Sequence, residues 1–226
     1  MLTTMLERKN IPNLLTMLRL VLAAGFFVIL AYYKFDHERY FLLLPAIGLF
    51  IAAAITDAMD GYYARKWHVE SKFGRIMDPF CDKVLVLGAL CFLAGPGFGV
   101  YDWVSEDGLA KLTSTQVSGF YPWMLVVILS RELLVTGIRG ELEGSGHKFG
   151  ANIWGKLKMV LQSIVVPVVL LIVYLMDSEF QFADKLKMPR DILIYATVIV
   201  TVFSGLPYVC LLYTSPSPRD EQFHLV

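Results

Sequence analysis

Four aspartates, Asp57, Asp60, Asp78 and Asp82, are the residues of this chain whose type and spacing could do chemistry. Asp57 and Asp60 stand three apart and Asp78 and Asp82 four apart, so on helices each pair projects from one face. Two neighbouring helices would then present four carboxylates to one pocket. Carboxylates crowded at low dielectric repel one another and need a cation. An all-oxygen ligand set favours a hard divalent ion, Mg2+ or Mn2+, and a cluster this rich in charge could hold two. Gly61 and Ala64 lie on the same helical stretch and leave space for a ligand against the backbone. Cys81, between the second pair, reads as a small buried hydrophobe.

The elements that must position these carboxylates are membrane helices. The 226 residues are 56% hydrophobic, with a mean hydropathy of +0.58, well above the apolar share of a soluble domain. The formal net charge is zero, which predicts no nucleic-acid partner. Cys81, Cys91 and Cys210 form no C-x-x-C pair, so neither a disulfide framework nor a zinc site is expected. The expected fold is an all-α integral membrane protein, a bundle of six transmembrane helices preceded by a short amphipathic segment. That lead, 1–10, sets Glu7, Arg8 and Lys9 beside Leu2, Met5 and Leu6, and the apolar run after it reads as a retained helix rather than a cleaved signal.

The spans are expected from near Ile11 to Tyr33, Phe41 to Thr56, the second aspartate pair to Ala94, Pro122 to about Ile138, Gly155 toward Asp177, and about Ile192 to Leu212. Pro79 fits the first turn of the third helix or a kink inside a longer one. Between the third and fourth spans, Tyr101 to Phe120 reads as a polar external loop, with Tyr101, Trp103, Phe120, Tyr121 and Trp123 as an interfacial belt. Residues 65–75 carry Arg65, Lys66, Lys72 and Arg75 against Glu70, and 139–158 are also basic, which puts both connections on the cytoplasmic side. Residues 1–212 form one domain. Residues 213–226, rich in Ser and Pro, read as a disordered tail that resembles translated adapter sequence.

Other polar residues inside apolar spans call for a role. Arg19 lies several residues into the first span and either snorkels or meets an anion or carboxylate. Asn13, Thr16 and Arg19 recur every three residues. Arg131 and Glu132 sit in the fourth span, where they either pair with each other or leave the arginine for a ligand. For Lys158 a snorkelling and a substrate role are equally open, and Lys83 could balance the acidic pocket.

The pattern D-x-x-D-G-x-x-A-R-x8-G-x3-D-x3-D is matched at every fixed position by Asp57, Asp60, Gly61, Ala64, Arg65, Gly74, Asp78 and Asp82. It resembles the signature of the CDP-alcohol phosphatidyltransferases. The N-terminal N-I-P-N-L-L-T-M-L-R, the stretch R-E-L-x4-I-R from Arg131 to Arg139, and G-K-L-K-x3-Q from Gly155 to Gln162 resemble the branch of bacterial phosphatidylglycerophosphate synthases. The resemblance implies transfer of the phosphatidyl group of CDP-diacylglycerol to sn-glycerol 3-phosphate with release of CMP. It implies Asp57, Asp60, Asp78 and Asp82 as ligands of two Mg2+ or Mn2+ ions, with Asp82 also the general base. Asn13, Thr16, Arg19, Asp60, Gly61, Ala64, Arg65 and Gly74 would receive CDP-diacylglycerol. Arg131, Arg139 and Lys156 would bind the acceptor's phosphate. A homodimer in the bacterial inner membrane, its site facing the cytoplasm, is implied as well. Inositol phosphate, serine and phosphatidylglycerol are rival acceptors, and a divalent-cation transporter is the reading from another class, disfavoured because the aspartates cluster at one membrane face.

Overall fold

The computed structural model describes residues 11–67, 72–106, 109–144, 153–178, 180 and 182–214. Within these, the backbone alone is described at 11–13, 60–67, 72–79, 82, 102–106, 109–114, 141–144, 184 and 211–214. The amphipathic lead (1–10) and the tail from 215 lie outside the described residues.

Long apolar runs become long helices, even where they contain Pro79 or Pro167. In order they are α1 (Ile11–Tyr32), α2 (Leu43–Trp67), α3 (Lys72–Leu93), α4 (Pro122–Gly144), α5 (Ile153–Asp177), α6 (Lys187–Phe203) and α7 (Leu206–Thr214). Among the described residues four stretches are long and apolar enough to cross a membrane, Leu14–Tyr32, Tyr40–Met59, Ile153–Asp177 and Lys187–Cys210. In α3 the apolar stretch is shorter, Lys83–Leu93. The exterior of these helices is apolar too: Val21 and Val28 on α1, Ile51 and Ile55 on α2, Val160 and Leu171 on α5, and Ile192 and Ile199 on α6 are exposed. A surface of this kind is stable against lipid rather than water. The chain is thus a mostly helical, multi-pass membrane protein.

The interior joins all the long helices. Phe26 and Leu30 of α1 pack with Phe50 of α2, Leu90 of α3, Met124 and Ile128 of α4, Val166 and Val169 of α5, and Ile194 of α6. Phe26 and Phe50 meet with ring centroids 5.5 Å apart. The side chain is missing at Gly88 of α3 because Phe27 occupies its place, and a Cβ there would fall 2.5 Å from the ring.

The structure departs from expectation in three places. The segment expected as an external loop is an antiparallel hairpin, β1 (Gly99–Glu106) and β2 (Leu109–Gln116), in register from Gly99 opposite Gln116 to Glu106 opposite Leu109, so the fold is not all-α. The sequence reason is the β-branched and aromatic content of the two segments (Val100, Tyr101, Trp103 and Val104; Thr113 and Thr115) and the Asp107-Gly108 dipeptide between them, a pair favoured in hairpin turns. Of the two readings open for Pro79, a place inside a longer helix is the one found, since α3 begins at Lys72, at the loss of one backbone hydrogen bond. Phe120, expected in the interfacial belt, is fully buried, whereas Tyr101, Tyr121 and Trp123 are exposed. The last apolar run is broken at Ser204 and Gly205 into α6 and α7.

Candidate functional site

The start of α1 and the far part of α2 are tied together by charge. Arg19 is 1% exposed, and its Nη1 lies 2.6 Å from Oδ1 of Asp57, whose side chain is 43% exposed. Of the readings open for Arg19, contact with a carboxylate is present and snorkelling is not. The reason is packing: α1 lies against α2 along its length, and an arginine on that seam reaches the carboxylate more easily than water. Thr16, one turn earlier, is buried on the same seam.

α2 continues ten residues past Asp57, so Asp57, Asp60, Gly61, Ala64 and Arg65 share one helix, and Gly74, Asp78 and Asp82 share the next. The backbone thereby brings the eight motif positions to one helix pair joined by 68–71. The side chains of Asn13, Asp60, Gly61, Ala64, Arg65, Gly74, Asp78 and Asp82 lie outside the described residues. Among the described residues no group of three or more His, Cys, Asp or Glu side chains gathers to hold a metal. The donor chemistry fits a hard divalent ion: Asp57 keeps access to solvent while ion-paired, and the remaining motif donors are carboxylates. Cys81 is buried at 2% exposure, as expected of a small hydrophobe. Lys83 Nζ donates to Thr136 Oγ1 of α4 at 2.7 Å.

A second polar cluster is buried among α4, α5 and α6. Arg131 Nη1 donates to Glu132 Oε1 at 2.9 Å, and Lys158 Nζ donates to the same oxygen. Arg131 Nη2 donates to the Ser204 carbonyl at 3.1 Å. Beside them Gln162 Nε2 reaches Thr201 Oγ1 at 3.4 Å. Glu132, Lys158, Gln162, Thr201 and Ser204 are all buried. With both bases and the acid ionised, the trio carries a net charge of +1, from Arg131 and Lys158 against Glu132. Arg139 and Lys156, expected beside Arg131, are both exposed, on the last part of α4 and the first turn of α5. Sequence reasoning favoured Lys156 and left Lys158 open. The signal for Lys158 was there, because Lys158, Gln162, Val165, Val166 and Val169 are spaced as one buried helical stripe.

The opposite end of the bundle is sealed by a polar network that sequence reasoning missed. Asp177, closing α5 and 1% exposed, accepts from Tyr33 Oη at 2.9 Å and from the His37 backbone N–H at 2.9 Å. Burial, with the Asp177 carboxylate second, pushes the Tyr33 phenol far above its ordinary range, so it remains a neutral donor. Arg190, at the start of α6, donates to the Val117 carbonyl and to Asp191 Oδ1. Ser118 Oγ donates to the Leu93 carbonyl at 2.7 Å.

Residues 9–203 match the family model described as CDP-alcohol phosphatidyltransferase. Among curated relatives, the CDP-diacylglycerol–glycerol-3-phosphate 3-phosphatidyltransferase of Bacillus subtilis (strain 168) is 36% identical over 211 residues, covering 88% of this chain and 93% of the relative. The protein of the same name from Haemophilus influenzae is 28% identical over 203 residues, covering 88% of this chain and 91% of the relative.

Proposed function

Because the chain belongs to the CDP-alcohol phosphatidyltransferase family, we propose that it moves the phosphatidyl group of CDP-diacylglycerol to sn-glycerol 3-phosphate, giving phosphatidylglycerophosphate and CMP. The acceptor comes from the names of the relatives. The observation that carries the reaction is the placement of the full eight-position acidic pattern on the consecutive helices α2 and α3, with Asp57 tied to a buried arginine.

Asp57, Asp60, Asp78 and Asp82 would hold divalent ions, Mg2+ or Mn2+, which supply neutralisation of the pyrophosphate and of the departing CMP. Arg19 fixes Asp57 so that the first aspartate of the set is oriented before substrate arrives. Gly61 and Ala64 leave the α2 backbone open to the cytidine, and Asn13, Thr16, Arg65 and Gly74 complete the nucleotide side. Asp82 takes the proton of the acceptor hydroxyl as its oxygen forms a bond to the phosphorus that carries diacylglycerol. The bond broken is that phosphorus to the bridging oxygen, which leaves with CMP. The acceptor's own phosphate is unreacted and requires cations. Arg131 is the best-supported of them, since it lies in a buried trio with net positive charge, while Arg139 and Lys156 would approach from the exposed rim.

The wider arrangement proposed is six spans, with α3 and α4 crossing beside the four long apolar stretches, a cytoplasmic site in a bacterial inner membrane, and a homodimer. The basic residues Arg65, Lys66, Lys72 and Arg75 support the orientation. The test is CMP release by the detergent-solubilised protein given CDP-diacylglycerol with Mg2+ or Mn2+, comparing sn-glycerol 3-phosphate, inositol phosphate and serine. Turnover with glycerol phosphate alone, lost on chelation of the metal and in Asp82→Asn, is the expected result. Turnover with another acceptor would discard the phosphate site, and none with any acceptor would discard the reaction.

A further inference from the structure

The break between α6 and α7 lies just past residue 203, where the family match ends, and takes no part in the reaction derived above. A continuous helix would bond the Ser204 carbonyl to the N–H of Tyr208, four residues on. Pro207 interrupts that ladder, since it has no N–H for the Phe203 carbonyl. The chain turns instead: Gly205 N–H donates to Val202 O at 2.9 Å, and Tyr208 N–H donates to Gly205 O at 3.1 Å. The Ser204 carbonyl is thereby released from the helix and accepts from Arg131 Nη2 at 3.1 Å. Gly205 gives room to the same side chain, because a Cβ there would stand 3.3 Å from Arg131 Cγ and 3.7 Å from its Nε. Glu132 holds Nη1 from the other side at 2.9 Å. The guanidinium is therefore fixed at both terminal nitrogens. Its Nε is buried and has no hydrogen-bond partner among the described residues, so a donor remains for an anion.

We infer that the helix break is a positioning device for the anion-binding end of the site: Pro207 creates it, Ser204 offers its carbonyl and Gly205 its bare face, and together they aim Arg131 at the acceptor's phosphate. The inference rests on the proposed acceptor. Ser204, Gly205 and Pro207 act through Arg131 and touch no substrate.

The experiment uses the full chain in detergent micelles, with each substrate titrated in turn. Pro207→Ala lets α6 run on and recapture the Ser204 carbonyl, and Gly205→Val pushes on the stem of Arg131. In each variant the KM for sn-glycerol 3-phosphate should rise about tenfold, the loss of one charge-assisted hydrogen bond. The KM for CDP-diacylglycerol and the unfolding midpoint of Pro207→Ala should stay at the wild-type values. In an Arg131→Lys background, where the fork is already gone, Pro207→Ala should add nothing. An unchanged KM in Pro207→Ala, equal rises for both substrates, or full additivity with Arg131→Lys would overturn the inference. A wild-type protein that turns over only an uncharged alcohol would overturn the proposed acceptor instead, and the two failures are distinguishable because the second is read without any variant.

Discussion

Replacing Glu132 with Gln should cost more stability than removing the lysine that it holds. Arg131 is 11% exposed at the side chain, and Glu132 and Lys158 are each 8% exposed. Arg131 and Lys158 contribute +2 and Glu132 contributes −1, so the trio carries +1. Glu132→Gln raises this to +2 in a buried setting, whereas Lys158→Met lowers it to 0 and leaves the 2.9 Å Arg131–Glu132 pair intact. Removing one side of a buried ion pair costs about 3–5 kcal/mol. Gln retains an oxygen for one of the two donors, which puts Glu132→Gln at the lower end, about 3 kcal/mol. Lys158→Met replaces a buried charge by an apolar chain of similar length, and about 1 kcal/mol is expected. The double variant Glu132→Gln/Lys158→Met returns the trio to +1 and should recover about half or more of the Glu132→Gln loss. Reversible denaturant unfolding in mixed micelles at fixed pH measures all three. If Lys158→Met were as damaging as Glu132→Gln, or if the double variant lost the sum of the single costs, the trio would not behave as one electrostatic unit and the reasoning would fail.

Two further predictions concern the opposite end of the bundle. Tyr33→Phe removes the phenol donor from a buried oxygen of Asp177 and should cost about 1–3 kcal/mol in the same unfolding measurement, with both KM values for CMP release unchanged. Gly119 has φ of +71°, and a Cβ there would fall 2.7 Å from Asp191 Oδ1 and 2.8 Å from Arg190 Nε, so Gly119→Ala should cost at least about 1–2 kcal/mol; a variant unfolding at the wild-type midpoint would show that the Arg190 clamp yields freely.

The acidic pattern was legible because helical spacing is a local property: three and four residues apart mean one face, whatever the rest of the chain does. The apolar runs were legible for the same reason, and α5 ends at Asp177 where composition put its end. Partners across the fold were not. An arginine inside an apolar run announces that it needs a counter-charge, but Asp57 is one of several carboxylates that could have supplied it, and only the packing of α1 on α2 selects it. Lys156 and Lys158 look alike as basic residues near a helix start, yet two positions on a helix differ by about 200°. One faces out and the other lies in the stripe that continues through Gln162. The hairpin was obscured because 101–120 is polar and aromatic in composition and has no clean period-2 alternation, which leaves the Asp-Gly dipeptide as its main local signal.

The two ends of the bundle treat buried polar groups differently, and the difference supports assigning the chemistry to one of them. At the far end every named buried group meets a partner supplied by the chain: Asp177 has Tyr33 and the His37 N–H, Ser118 has the Leu93 carbonyl, and Arg190 has Asp191 and the Val117 carbonyl. Such an arrangement fixes the ends of α1, α3, α5 and α6 relative to one another and asks for nothing more. At the other end the acidic pattern lies on α2 and α3, and Arg131, Glu132 and Lys158 gather on α4 and α5. Burying charges there costs stability that a purely structural bundle could avoid by burying apolar residues. In the proposed reaction the carboxylates would meet the metal-bound pyrophosphate and Arg131 the phosphate of the alcohol. An acceptor without an anionic group would have nothing for Arg131 to bind, which is why the KM for glycerol phosphate, rather than the overall rate, is the quantity that Arg131 and the helix break beneath it should govern.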